Sequence, residues 1–192
     1  MIRSDRLVLR PLEEKDAKDV VAAINFREIA RYTRIPFPYT LTDAKNFIGR
    51  QEKEALEKRS FAFGIFLREK ESLIGGIGIH NINWEDGRGD FGYWLTPAEQ
   101  GKGYAREAAY ALLRHLFYDL QLNRVEIETI PSNRASQRLA QWLGAEKEGF
   151  LRKRCCAQEE QQDVFLFGLL GSDFERLDHE GRYRREDRTK KI

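Results

Sequence analysis

Gly92-Tyr93-Trp94-Leu95-Thr96-Pro97, followed at once by Gln100-Gly101-Lys102-Gly103-Tyr104-Ala105-Arg106, joins a strand to a helix. Upstream of the join, Asp90 to Leu95 is aromatic and extended in character. Downstream the apolar period changes. Ala105, Ala108, Ala109, Leu112, Leu113, Leu116 and Phe117 fall at i, i+3, i+4 spacing on one helical face. A helix N-terminus leaves about four backbone N–H groups unpaired and carries roughly half a positive charge. Glycines just before it let that backbone approach an anion, so the join suits a phosphate or pyrophosphate, with Lys102 and Arg106 adding charge. A plain tight turn is the other reading of two glycines. There is no Gly-x-x-x-x-Gly-Lys-Ser/Thr loop. A dinucleotide fingerprint needs a third glycine near Arg106 and a parallel β-α-β unit, and neither is expected here.

Ahead of the join, Ser60 to Arg68 and Leu73 to Ile82 read as two more strands, and Gly87 and Gly89 mark the turn into Asp90. These three strands make an antiparallel meander. Earlier still, Arg6-Leu7-Val8-Leu9-Arg10 alternates as a strand stopped by Pro11. Asp16 caps a helix through Ile24, and Thr42 or Asp43 caps a charged helix to about Lys58. Behind the join, Arg124 to Ile130 alternates again and Pro131 closes it. Asn133 caps a short helix through Leu143, which Gly144 ends. Strands near Glu148 to Lys153 and Asp163 to Leu169 follow. The predicted class is a single α/β (α+β) domain over residues 1–171, with a mixed, mostly antiparallel central sheet flanked by helices. Residues 172–192 are read as a charged C-terminal tail that frays or is disordered.

The totals narrow the function classes. With 33 Lys and Arg against 31 Asp and Glu, the net charge of +2 gives no reason to expect nucleic acid as the main partner. A weak RNA contact through the basic charges of residues 182–191 is a minor alternative to a solvated tail. No apolar run approaches the roughly 18 residues of a membrane helix, and no apolar signal region follows Met1. The two cysteines, Cys155 and Cys156, are adjacent, which suits packing in a reduced, cytoplasmic setting better than a bridge or a metal. No metal ligand set is expected.

Gln100-x-x-Gly103-x-Ala105 resembles the Gln/Arg-x-x-Gly-x-Gly/Ala motif of the GNAT acetyltransferases. Gly92-Tyr93-Trp94-Leu95 before Gly101-Lys102-Gly103-Tyr104-Ala105 is similar to the branch containing ribosomal-protein N-terminal acetyltransferases. Arg6-Leu7-Val8-Leu9-Arg10-Pro11-Leu12, Asn133-x-x-Ser136 and Glu148-Gly149-x-Leu151-Arg152 agree, in register, across residues 3–170. The resemblance implies acetyl-CoA as cosubstrate. It would lie along Trp94, Leu95 and Thr96, with Leu95 backbone groups on the pantetheine arm. The turn from Gln100 through Gly101, Lys102, Gly103, Tyr104, Ala105 and Arg106 would take the pyrophosphate. Asn133 would contact the pantetheine and Ser136 would sit near the sulfur. The slot would come from two splayed strands.

Transfer from a thioester to an amine needs a neutral nitrogen, a polarised carbonyl and a protonated leaving thiol. The Leu95 N–H suits the carbonyl oxygen. Ser136 is the candidate proton donor, or else a helix-start serine serving backbone N–H groups. In some relatives a glutamate follows the Leu-Arg pair, but here Arg154-Cys155-Cys156 stands there. Asp90 and His80 are the remaining candidate bases, and each has a structural reading as a solvated edge charge or a strand-end histidine. An α-amine, with a pKa near 7.8, is about a quarter neutral at cytosolic pH, whereas a lysine amine is neutral about one time in a thousand. A weak base therefore suits the N-terminus of a protein or peptide as acceptor. A small amine (amino sugar, polyamine or antibiotic) and a non-catalytic acyl-CoA-binding module are the rivals. The chain is expected to be a monomer or homodimer.

Overall fold

The computed structural model describes residues 1–184. Its strands form one sheet in the order β1-β2-β3-β4-β5-β6-β8-β7. They are β1 Ile2–Arg3, β2 Leu7–Arg10, β3 Phe61–Leu67, β4 Leu73–Asn83, β5 Arg88–Leu95, β6 Arg124–Thr129, β7 Glu146–Ala157 and β8 Glu160–Leu170. The helices are α1 Ala17–Ile24, α2 Arg27–Ala30, α3 Leu41–Leu56, α4 Tyr104–Arg114, α5 Arg134–Leu143 and α6 Gly171–His179. All neighbouring strands run antiparallel except β5 and β6.

That exception corrects an expectation. β5-α4-β6 is a parallel β-α-β unit, paired at Arg88↔Arg124, Gly89↔Val125 and Asp90↔Glu126. A helix of α4's length returns the chain to the same end of the sheet, so parallel pairing follows once β6 is placed beside β5. The third glycine of a dinucleotide loop is still missing.

One face of the sheet buries Ile77, Ile79, Phe91, Leu95, Val125 and Ile127 against Ala108, Ala109 and Leu112 of α4 and Leu139 and Leu143 of α5. A second core, with Val20, Ile24, Ala44 and Ile48, forms between α1 and α3 and takes in Trp94. The face opposite α4 and α5 on the β6–β8–β7 side carries a charged group at one end, where Arg124 bonds to Glu126 (2.9 Å), and a small apolar cluster around Val164 at the other. Glu148, part of the resemblance stretch, accepts a two-pronged contact from Arg124 that lies across Gly168. The guanidinium holds the Glu148 carboxyl below the usual carboxylate range.

The start of α3 and the capping of α1 differ from the sequence reading. Thr40, rather than Thr42 or Asp43, caps α3, in a box where the Asp43 N–H donates to Thr40 Oγ1 (3.2 Å) and the Thr40 N–H donates to Asp43 (2.9 Å). Asp16 precedes α1, but its carboxylate accepts from the Glu13 N–H (2.8 Å) and from both prongs of Arg10 (2.7 and 2.8 Å). Arg10 lowers the Asp16 pKa although burial opposes it. Because the folded pKa is depressed, this contribution is present above the unfolded value near 3.9 and is lost as pH falls through the folded value. Asp16→Asn is expected to cost about 2 kcal/mol at pH 7, measured by urea unfolding, with the difference from wild type shrinking toward pH 2.

The tail reading is overturned for residues 172–184. Residues 171–179 form α6, and Phe174 is wholly buried in the main core. The rings of Phe117, Tyr183, Tyr110 and Tyr118 stand 5.2, 5.2, 6.0 and 6.2 Å from it. Asp178, also buried, accepts from Tyr110 (2.6 Å) and Tyr118 (3.1 Å). Residues 185–192 of the expected tail lie outside the described residues.

Candidate active site

The site begins where β5 and β6 part company. Their pairing stops at Asp90↔Glu126, so from Phe91 onward β5 bonds only to β4. Along β4 the ladder uses alternate residues, and the Thr96 N–H donates to the Ile74 carbonyl (2.9 Å). Antiparallel alternation then turns the N–H groups of Tyr93 and Leu95 to the other edge, into the gap. The Leu95 carbonyl, on that edge too, accepts from Gln100 Nε2 (3.0 Å). Gln100 thereby ties the glycine turn to the strand.

The turn itself needs its glycines. Gly101 and Gly103 have φ of 76° and 84°, and Gly103 is the N-cap of α4. The first helical bond runs from the Glu107 N–H to the Gly103 carbonyl (3.1 Å), so the N–H groups of Tyr104, Ala105 and Arg106 point out of the helix end. Arg6 braces the turn from outside. It donates to the Lys102 carbonyl (3.1 Å) and to Glu107 (2.6 Å), and its guanidinium covers the Tyr104 ring at 4.6 Å.

Across the gap stands α5. Asn133 caps it as expected, accepting from the Ser136 N–H at 3.1 Å. The capping belongs to the Asn133 side chain, which leaves the Ser136 hydroxyl outside that role. Ser136 is nearly buried and lies beside the Tyr93 hydroxyl, whose pKa burial pushes up while Ser136 opposes the rise. A cavity of about 720 Å³ joins these groups. It is lined by Tyr93, Trp94, Leu95, the turn, Asn133 and Ser136, with Glu28, Ile29 and Tyr32 of the α2 region at one end.

Asp90 and His80 pair directly across β5 and β4, so their side chains share a face. It is the α1/α3 face with Trp94, opposite the one carrying Phe91, Tyr93 and Leu95. The structure therefore does not bring them to Ser136; they flank the gap from the other side. Ser60 Oγ, buried, lies 2.6 Å from His80 Nδ1 and 3.2 Å from the Ile79 carbonyl. Burial lowers the His80 pKa; Glu54 and Asp90 pull it upward and Arg50 adds to the lowering. Asp90 accepts from Asn81 Nδ2 at 2.8 Å.

The acetyltransferase (GNAT) domain profile matches residues 6–146. The chain belongs to the GNAT acetyltransferase family. It is 34% identical over 172 residues to p20, an uncharacterized N-acetyltransferase of Bacillus licheniformis, covering 89% of this chain and 96% of that one. It is also 29% identical over 115 residues to a ribosomal-protein-serine acetyltransferase of Escherichia coli, covering 60% of this chain and 64% of the relative. In fold it matches RimJ of Mycobacterium smegmatis, solved with CoA-disulfide, with a TM-score of 0.82 at 22% identity over 92% and 90% of the two chains.

As a GNAT N-acetyltransferase, the chain uses acetyl-CoA. The gap suits that molecule. Its open edge offers backbone N–H groups to an amide-bearing arm, and the α4 N-terminus offers three more to a pyrophosphate. Of the residues picked from sequence for acetyl-CoA, Trp94, Leu95, Gln100, Gly101, Gly103, Tyr104, Ala105, Arg106, Asn133 and Ser136 line the cavity. Lys102 and Thr96 do not: Lys102 pairs with Glu99 (3.0 Å), and the Thr96 hydroxyl donates to the Ala23 carbonyl (2.9 Å). Tyr93, Arg6 and Ser60 went unassigned from sequence. Tyr93 and Arg6 sat inside quoted motifs, but Ser60 carried no signal, because its partner lies on the next strand. Among the described residues no helix is long and apolar enough to cross a membrane.

Proposed function

We propose that this enzyme acetylates the α-amine at the N-terminus of a cytoplasmic protein or peptide by direct transfer. The observation that carries the reading is His80. Burial lowers its pKa, Ser60 holds it at Nδ1, and it pairs with Asp90 on the sheet face opposite Tyr93 and Leu95, at the level where β5 and β6 part. A neutral imidazole of lowered pKa is a weak base, matched to an α-amine and poorly matched to a lysine. Acetyl-CoA supplies the acetyl thioester. The Tyr93 and Leu95 N–H groups between them face its arm and the carbonyl oxygen that gains charge. His80, with Asp90 beside it, takes the proton from the attacking amine. Ser136, backed by the Tyr93 hydroxyl, returns one to the leaving sulfur. The resemblance in sequence to a ribosomal-protein-serine acetyltransferase supports the choice of acceptor.

Acetyl-CoA with short peptides is expected to release free thiol only when the N-terminus is unblocked. Turnover of spermidine or an amino sugar with every peptide inert would overturn the reading. His80→Gln should lower kcat by about 10- to 100-fold. In the wild type, rate should fall as pH drops through the His80 pKa, which lies below the ordinary 6.5 or so, and the variant should lose that limb.

A further inference from the structure

Outside the cofactor gap, α2 separates two cavities and presents a different charge to each. Glu28, with Ile29 and Tyr32, lines the acetyl-CoA cavity. Arg27 and Arg31 line the second, of about 390 Å³, together with Phe37, Ser132, Gln162 and Glu160. The turn after β6 is the other shared wall: Asn133 faces the first cavity, Ile130 and Ser132 the second. The β7–β8 hairpin completes the second cavity. Gln158 Nε2 at its tip donates to the carbonyls of Ala30 (3.3 Å) and Ile35 (2.8 Å). Tyr32 packs beneath it in a cluster with Ile130, Ala157 and Val164.

Charge in this second cavity is unbalanced. Arg27 rests 4.7 Å over the Phe37 ring and Arg31 5.4 Å over Tyr32, and neither has a carboxylate partner among the described residues. Glu160, the one acid of the wall, already accepts from Gln162 Nε2 (3.2 Å). A guanidinium resting on a ring keeps its outer N–H donors for a carboxylate, which it meets with two parallel bonds. Glu28, across the same short helix, carries the opposite charge toward the transfer site, as a protonated amine entering it requires.

We infer that this cavity selects the acceptor: it takes the acidic side chains of the residues just behind the acetylated N-terminus, so the preferred substrate is a peptide that begins with a neutral residue and continues in Asp or Glu. This rests on the N-terminal reading above and names its substrate class. A lysine-rich N-terminus or a polyamine would meet two arginines against the single carboxylate of Glu160.

The test compares peptides sharing the first residue and differing at positions two to four: Glu, Gln or Lys. With the wild-type enzyme, kcat/KM should be about three- to tenfold higher for the Glu peptide than for the Gln peptide, through KM, and lower again for Lys. Added salt should shrink that spread. Arg27→Gln with Arg31→Gln should bring the Glu peptide down to the Gln peptide, and Arg31→Glu should favour the Lys peptide. Equal turnover of all three wild-type reactions, or a spread indifferent to salt, overturns the inference while leaving N-terminal acetylation intact. No turnover of any peptide alongside turnover of a small amine overturns the N-terminal reading itself. The salt comparison needs no variant, so it stands even if a substitution disturbs folding.

Discussion

Replacing both turn glycines, Gly101→Val with Gly103→Val, is expected to raise the dissociation constant for acetyl-CoA by about a hundredfold. Both glycines hold positive φ, 76° and 84°. A residue with a Cβ loses roughly 1–2 kcal/mol there, and a β-branched one fares worst. The space around Gly101 is open, and a Cβ on Gly103 would meet only the end of the Arg6 side chain at 3.4 Å. The effect is therefore one of backbone conformation rather than crowding. The turn relieves it by moving to negative φ, and the N–H groups of Tyr104, Ala105 and Arg106 then no longer converge. Calorimetric titration with acetyl-CoA measures this directly. The turn is on the surface, so the urea midpoint should move little. An unchanged dissociation constant would mean that these N–H groups do not hold the pyrophosphate.

Phe174→Ala should destabilise the fold by about 3–5 kcal/mol, the range for an aromatic side chain deleted from a packed core. The ring is wholly buried among Tyr110, Phe117, Tyr118 and Tyr183, and its removal leaves their edges facing a void. At about 1–3 kcal/mol per molar urea, the midpoint should fall by at least about 1 M. A residue in a solvated tail would change stability by no more than about 0.5 kcal/mol. The experiment therefore separates a core helix from a loose C-terminus.

Much of the fold was legible in the chain because its signals are local. The β3–β4–β5 meander, the change of period at Gly103, the Asn133 cap and the Gly144 stop each depend on neighbours within a few residues. α6 failed for the same reason: Phe174 and Leu177 are its apolar anchors, set among Asp173, Glu175, Arg176 and Asp178. Its burial is decided by a pocket between α4 and the segment His115–Asp119, some 60 residues earlier, to which Asp178 bonds through Tyr110 and Tyr118. The α1 start at Asp16 was legible, but its side chain makes no cap bond, because Arg10 on β2 claims the carboxylate.

The sequence by itself determined the glycine turn of the candidate site. Gln100, Gly101, Gly103 and the α4 N-terminus form one continuous segment, and backbone geometry within such a segment follows from residue type. Only the tertiary structure decided the rest of the candidate site. It set Ser60 on His80, His80 opposite Asp90, Tyr93 beside Ser136, and Arg27 and Arg31 under the β7–β8 hairpin. Those contacts join elements up to about 130 residues apart in the chain. They depend on strand order and register, which the packing of the whole sheet fixes and no local pattern encodes.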